Sequence, residues 1–120
     1  MEKQLWFACG DGNIEKVQEL LQNEQININW QDNRDSTTPF HIACQNGHIE
    51  IVKLLLNDKR IIDINVLDKT DKTPLSVACW NGHVEVVKLL LNDNRIDINK
   101  KVNMVLHLFM ELVIVDILKL

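Results

Sequence analysis

The sequence is poor in the residues that loosen or interrupt a chain. Its 120 residues include only 4 glycines and 2 prolines, so no linker-rich or low-complexity segment is present. No glycine-rich loop of the kind that cradles phosphate groups occurs either. A chain of this length without linkers is expected to form a single domain over residues 1–120.

An excess of positive charge is also lacking. The chain has 13 basic and 17 acidic residues, a formal net charge of -4, which argues against a nucleic-acid partner. The most apolar stretch lies near the carboxyl end, but it is too short for a membrane span and is broken by His107, Glu111, Asp116 and Lys119. We therefore expect binding neither to nucleic acid nor to a membrane.

Cysteines are few and odd in number. The three, Cys9, Cys44 and Cys79, are spaced 35 residues apart, which favours a column of small buried residues over a disulfide framework. No signal peptide is visible at the amino end, and no Asn-x-Ser/Thr acceptor occurs. These features predict a reduced, cytoplasmic setting, with the nucleus left open.

The chain contains an internal repeat with the same spacing. Residues 73–91 read TPLSVACWNGHVEVVKLLL, residues 38–56 read TPFHIACQNGHIEIVKLLL, and residues 5–21 read LWFACGDGNIEKVQELL. A period of this size indicates stacked supersecondary units, each too small to bury its own apolar face. The predicted boundaries are 1–29, 30–65, 66–99 and 100–120.

Each unit carries the signals of two helices. Thr38 is a natural helix cap, Pro39 suits the first helical position, and Gly47 provides a tight turn. We expect a first helix over 5–11 in the first unit, a second over 49–57 in the second unit, and exposed loops over 30–37 and 66–72. Residues such as Asp97, Ile98 and Asn99, which alternate polar and apolar, suggest a short extended segment after the second helix.

The first and last units depart from the pattern. Lys16 and Glu19 stand where later units are apolar, as an amino-terminal capping unit requires. The tail aligns with the third unit at an offset of 31, so that Phe109 replaces Ala78 and Val113 replaces Gly82. This predicts a degenerate, partial fourth unit with its second helix beginning near Asp116.

The motif from Thr38 to Leu56 resembles the ankyrin repeat. The resemblance covers residues 5–99 well and 100–120 poorly. It implies an all-α solenoid of helix-turn-helix units joined by β-turn hairpins, which binds other proteins and is not an enzyme. It also implies that His41 braces the hairpin by hydrogen bonds, that Asp71 replaces a hairpin glycine, and that the hairpins are less regular than the family pattern.

Catalytic, cofactor and metal sites are not expected. Cys44 and Cys79 lie a whole repeat apart, about 10 Å in a helix stack, which is too far for one ion. His41 and Cys44 share a helix face, so a Cys-His nucleophile pair is conceivable, but no third orienting residue or oxyanion motif accompanies it.

Partner-binding candidates follow from the resemblance. The helix-end group lies on the side that the ankyrin pattern makes concave: Gln45, Asn46, Trp80 and Asn81. The hairpin-tip group consists of Asn33, Arg34, Ser36, Lys69, Thr70 and Lys72. Trp80 is the sharpest candidate, since a tryptophan there can anchor an interface; the alternative is that it lies across Gln45 and shields the first helix.

A second hypothesis concerns residues 104–120. Their apolar run leaves the end of the array without a polar outer face, which suggests self-association of a structural fragment. A remnant of a longer array is a further possibility. In either case the identity of the partner is not encoded in the repeat motif.

Overall fold

The structure, a computed structural model, describes residues 1–100 and 104–119. Within these residues it contains helices and turns but no strand. The helices are α1 (Glu2–Asp11), α2 (Ile14–Leu21), α3 (Pro39–Gln45), α4 (Ile49–Leu56), α5 (Pro74–Trp80), α6 (Val84–Leu91) and α7 (Met104–Leu118). The predicted all-α repeat fold is confirmed. The assignment of unit boundaries stays a prediction, and residues 101–103 and 120 of the fourth unit lie outside the described residues.

The Thr-Pro pairs begin α3 and α5 as predicted. The hydroxyl of Thr38 accepts from the His41 N–H at 3.0 Å, while the Thr38 N–H donates to His41 Nδ1 at 3.1 Å. Thr73 and Ser76 form the same reciprocal pair at 3.1 and 2.8 Å. Each pair satisfies two backbone donors that a helix start would otherwise leave without a partner.

Helix α1 begins three residues before the predicted start. Its first turn includes Glu2, whose carboxylate accepts from the Asn27 N–H at 3.1 Å. This contact, 25 residues apart in sequence, ties the helix start to the segment after α2. Because it is non-local, the apolar periodicity of α1 could not reveal it.

A glycine in left-handed conformation separates the two helices of a unit. Gly47 has φ of 73°, and a β-carbon there would overlap the ring of His83. Gly12 is covered in the same way by His48. The glycine is thus needed both for its backbone angle and for the close approach of the next unit.

The helices form two layers. In the first layer α1 packs on α3, α3 on α5, and α5 on α7; in the second α2 packs on α4 and α4 on α6. The core lies between the layers and includes fully buried Leu5, Phe40, Leu75, Val52 and Val87. Cys9, Cys44 and Cys79 are all buried free thiols in this core, which confirms the predicted column of packing residues.

The predicted extended segments are turns instead. The Asp63 carboxylate accepts from the Asn65 N–H at 2.8 Å, and Asp97 accepts from Asn99 at 2.9 Å. A short carboxylate that bonds the backbone two residues on stabilises a turn rather than a strand. The polar residue of the alternating pattern therefore has a local role that the pattern alone did not indicate.

The hairpins are held by buried or half-buried carboxylates. Asp32 Oδ1 accepts from the N–H and hydroxyl of Thr37 at 2.8 and 3.0 Å, and Asp68 Oδ1 accepts from the N–H of Thr70 and Lys72 at 2.8 and 3.0 Å. Ser36 and Asp71 take φ of 58° and 60°. Asp71 thus adopts the left-handed conformation that a glycine would occupy without strain.

Arginine side chains join successive units in the second layer. Arg60 donates to the carbonyls of Leu21 and Asn23, both at 2.8 Å, and Asp58 holds its guanidinium at 2.6–2.9 Å. Arg95 repeats the arrangement one unit later, with Asp93 as its carboxylate and the Leu56 carbonyl as its acceptor at 3.0 Å. Each arginine therefore caps the carboxyl end of the preceding unit's second helix.

The carboxyl-terminal helix differs from the prediction. The alignment predicts a break near Val113 and a new helix near Asp116, but α7 runs unbroken from Met104 to Leu118. A valine cannot readily adopt the left-handed conformation that the glycines adopt, so no turn interrupts the helix. α7 packs on α5 as a first-layer helix and also contacts α6.

Candidate functional site

Trp80 is the last residue of α5, and its side chain is 56% exposed. Its ring meets that of Phe109 edge-on, with centroids 5.0 Å apart and planes at 61°. Such a pair fixes the orientation of the indole while leaving much of its surface open. The sequence did not indicate that Phe109 belongs to this surface, since it placed Phe109 at the position of Ala78 and in the apolar run over residues 104–120.

The asparagines of the helix-end group are partly used by the fold. Asn46 donates its side-chain amide to the Gly10 carbonyl at 2.9 Å, and Asn81 donates to the Val77 carbonyl at 2.8 Å. Both are exposed, whereas Gln45 is half-buried. Asn46 therefore also links the first two units, so its substitution would change stability as well as any surface contact.

The hairpin-tip group is accessible except for one member. Asn33, Arg34, Lys69, Thr70 and Lys72 are exposed, and Ser36 is half-buried. Neighbouring hairpins are tied together, because the Lys69 N–H donates to the Asp35 carbonyl at 2.8 Å. This bond is inter-unit and orders the backbone under the exposed cationic side chains.

The conceivable Cys44–His41 pair lacks the properties of a nucleophile and its base. Burial raises the pKa of the Cys44 thiol well above its ordinary value of 9.0. Burial also lowers the pKa of His41, whose Nδ1 accepts from Thr38 and whose Nε2 lies 3.0 Å from the Lys72 carbonyl. Since both ring nitrogens are engaged, the imidazole is a bracing group, as the resemblance implied.

The other thiols resemble Cys44. Burial raises the pKa of both Cys9 and Cys79 to about 12, so neither is a thiolate near neutral pH. In the part of the chain that the structure describes, no group of three or more His, Cys, Asp or Glu side chains is arranged to hold a metal ion. Across residues 1–100 and 104–119, no helix has both the length and the apolar character of a membrane span.

Two surface features were not anticipated from the repeat. Ile62 is 86% exposed and is an extra residue relative to the third unit, where Arg95 and Ile96 lead directly to Asp97. The second feature is Trp6, whose Nε1 donates to Thr37 Oγ1 at 3.1 Å. The insertion was visible in the aligned units, whereas the bond to Thr37 left no sequence signal.

Comparison with known families gives one result. A family model described as ankyrin repeats, in three copies, matches residues 5–102. No curated protein matches the sequence.

Proposed function

The chain belongs to the ankyrin-repeat family, and from that membership we propose that it binds a partner protein through the helix-end group and the hairpin-tip group, without catalysis. Ankyrin repeats are in general protein–protein interaction modules. The observation that carries the finer proposal is the exposed indole of Trp80, held by Phe109 at the end of α5.

Trp80 suits the role of an anchor for two reasons. Tryptophan buries a large area with only two side-chain torsions to fix, and interface hot spots are enriched in it. Its edge contact with Phe109 restricts its orientation before a partner arrives, which lowers the entropy lost on binding.

The hairpin tips add charge to the proposed surface. Arg34, Lys69 and Lys72 are exposed beside the acidic residues Asp35 and Asp71. Mixed charge of this kind favours selection among protein partners rather than attachment to a polyanion. The absence of catalysis is supported by the raised thiol pKa values and by the engaged ring of His41.

The test is affinity capture with Trp80→Gln, which places there the residue that occupies the same position one unit earlier. We expect the amount of captured partner to fall at least tenfold, in keeping with an anchor worth about 2 kcal/mol or more. The wild-type chain and the variant are compared at equal folded concentration, verified by circular dichroism.

Phe109→Leu is the matched control. It removes the aromatic pair, at a cost to stability of about 0.5–1.5 kcal/mol, but leaves the indole in place. We expect the amount of captured partner to fall less than with Trp80→Gln, because only the contact that orients the indole is lost. Equal capture by the wild type and by Trp80→Gln would remove Trp80 from the binding surface.

Self-association is a second candidate, favoured by the surface of α7. Leu108, Leu112 and Val115 share one exposed face and Leu118 is also exposed, whereas Met110 and Ile114 are buried. An exposed apolar stripe is a candidate interface even though Glu111 and Asp116 flank it, and a stripe with spacings of four and three residues can pair with its own copy about a two-fold axis.

Sedimentation velocity decides the second candidate. Self-association predicts a dimer at micromolar concentration that Leu112→Glu converts to a monomer, while Glu111→Gln on the neighbouring exposed position leaves the dimer intact. A wild-type chain that remains monomeric throughout the concentration range contradicts it, without bearing on Trp80.

A further inference from the structure

The dipeptide Asn-Gly occurs twice, each time at the turn between the two helices of a unit. Asn46 and Gly47 follow α3, and Asn81 and Gly82 follow α5. The two asparagines have nearly the same backbone, with φ and ψ of -96° and 0° at Asn46 and of -91° and 3° at Asn81. Both glycines are left-handed, with φ of 73° and 74°. The same chemical group therefore has the same local geometry at two places in the array.

An asparagine that precedes glycine can lose its amide without an enzyme. The backbone nitrogen of the glycine attacks Cγ of the asparagine, and the new C–N bond closes a five-membered succinimide. The side-chain nitrogen leaves as ammonia, together with the proton of the glycine N–H. Water then opens the ring at either carbonyl, which produces an aspartate or an isoaspartate and adds one negative charge. Glycine favours the attack because it has no β-carbon to obstruct its nitrogen.

Ring closure requires the turn to open. In the folded chain the Gly47 N–H donates to the Cys44 carbonyl at 3.3 Å, and the Gly82 N–H donates to the Cys79 carbonyl at 3.1 Å. With ψ near 0°, each glycine nitrogen is also eclipsed with the backbone nitrogen of the asparagine rather than with its β-carbon. The peptide plane must rotate before the attack, so the rate of modification follows the free energy of opening the turn.

The turn at Asn46 is held by both neighbouring units. Its side-chain amide donates to the Gly10 carbonyl of the first unit at 2.9 Å, and His48 Nε2 lies 3.0 Å from the same carbonyl. From the other side, the ring of His83 covers Gly47 so closely that a β-carbon there would overlap it. Opening this turn therefore disrupts contacts with the first and the third unit.

The side chain of Asn81 makes its hydrogen bond within its own helix. Its amide donates to the Val77 carbonyl at 2.8 Å, one turn earlier in α5. At the equivalent position Asn46 instead reaches back to Gly10 in the preceding unit. Opening the turn at Asn81 therefore does not require this side chain to break a bond between units.

We propose that Asn81 is a site of spontaneous deamidation and that Asn46, in the same Asn-Gly-His sequence, is protected by its contacts with the neighbouring units. The product places a carboxylate next to Trp80, at the carboxyl end of α5. A carboxylate cannot donate to the Val77 carbonyl, and a negative charge at the carboxyl end of a helix is unfavourable. Modification therefore loosens the end of α5 and changes the surface around Trp80; the effect on binding rests on the proposed function.

The test follows the two asparagines separately in the full-length chain. After incubation in mildly alkaline buffer, trypsin releases Asn46 in the peptide 35–53 and Asn81 in the peptide 73–88, and mass spectrometry measures the converted fraction of each. We expect Asn81 to be converted at least about fivefold faster than Asn46, the effect of about one hydrogen bond on the opening of a turn. In denaturant the difference should disappear, because glycine and histidine follow both asparagines.

Asn81→Asp separates the effect on binding from the modification itself. This variant has the charge of the product from the start and is compared with the wild type in the capture assay. We expect the amount of captured partner to fall about two- to fivefold, the effect of a single exposed charge. Unchanged capture would contradict the effect on binding, whereas the peptide measurements on the isolated chain do not depend on any partner.

Two further variants test the protection of Asn46. His83→Ala uncovers Gly47 and should speed the conversion of Asn46 about fivefold in the folded chain, with folding verified by circular dichroism. Asn81→Gln is the control, because its longer side chain would have to close a six-membered ring, and its peptide should stay unmodified. The proposal is overturned if Asn46 is converted as fast as Asn81 in the folded chain, if their rates differ as much in denaturant, if His83→Ala leaves the rate at Asn46 unchanged, or if folded Asn81 is not converted.

Discussion

The indole Nε1 of Trp6 donates to the hydroxyl of Thr37 across 3.1 Å, and this bond joins the first unit to the hairpin of the second. One unit later, His41 Nε2 reaches the Lys72 carbonyl at 3.0 Å across the same sequence separation. Trp6 therefore performs the bracing role of the histidine with a different donor. In the third unit Ser76 instead donates to its own unit, at the Thr73 carbonyl.

The first prediction concerns this bond. Trp6→Phe keeps an aromatic ring but removes the donor, so the free energy of unfolding should fall by about 1 kcal/mol. Thr37→Val should also destabilise, and the double variant should lose less than the sum of the two, as measured by urea unfolding. If the losses in free energy of unfolding of the two single variants add up to that of the double variant, the two side chains do not interact.

The second prediction concerns the arginine that joins α2 to the second unit. Arg60→Gln removes hydrogen bonds to two carbonyls and to Asp58, and should cost about 1–2 kcal/mol in urea unfolding because the pair is largely shielded. Arg95→Gln is the matched comparison. Since Arg95 is more exposed and caps one carbonyl, Arg95→Gln should lower the free energy of unfolding by less than Arg60→Gln does. A larger decrease for Arg95→Gln would contradict the assigned contacts.

The third prediction is a dependence of stability on pH. Burial lowers the pKa of His41 below its ordinary value of 6.5, despite the opposing effects of the Lys72 carbonyl, Asp68 and Asp32. The unfolded chain therefore binds a proton more readily than the folded chain. The stability that neutral His41 contributes is fully present above about pH 6.5 and is lost as the pH falls through the folded-state value, by at most about 1.4 kcal/mol per pH unit.

His41→Ser provides the comparison, because serine occupies this position in the third unit. The variant should be less stable than the wild type at pH 7, and its free energy of unfolding should change less between pH 7 and pH 5. Equal slopes for the two proteins would exclude His41 as the source of the pH dependence.

The fourth prediction concerns backbone strain in the third unit's hairpin. Asp71 has φ of 60° and its side chain makes no hydrogen bond in the described structure, so Asp71→Gly should raise the free energy of unfolding by up to about 1 kcal/mol. Lys69 does not share this conformation, and Lys69→Gly should lower stability by about 0.5–1 kcal/mol. Thermal unfolding of both variants compares their stabilities. A lower stability of Asp71→Gly than of the wild type would contradict the prediction that Asp71 is strained.

Much of the fold could be predicted because its determinants are local. Thr38, Pro39 and Gly47 act within a few residues of their own positions, and their effects on the helix start and the turn follow from backbone chemistry. The position of α7 in the first layer follows the repeat as well. The unbroken course of α7 through Val113 was not predicted. The alignment at an offset of 31 matched the residues near Asp116 to a second helix, although the glycine needed for the turn before it is missing.

The candidate surface was less predictable, because its members depend on contacts between units. The spacing of the repeat selected Trp80, which is exposed, and its role in binding stays a prediction. Nothing in the spacing could indicate that Phe109 lies 5.0 Å away or that Asn46 donates to Gly10. Such contacts join residues about 29 and 36 positions apart, and their geometry is set by packing rather than by local propensity.

We propose that a partner protein covers the helix ends around Trp80. Amide hydrogen exchange of the chain, measured alone and with the captured partner, tests this proposal. We predict slower exchange at Trp80 and Asn81 and at the hairpin tips around Arg34 and Lys69, with no change on the outer turns of α4. Slower exchange confined to α4, with unchanged rates at Trp80 and Asn81, would contradict it.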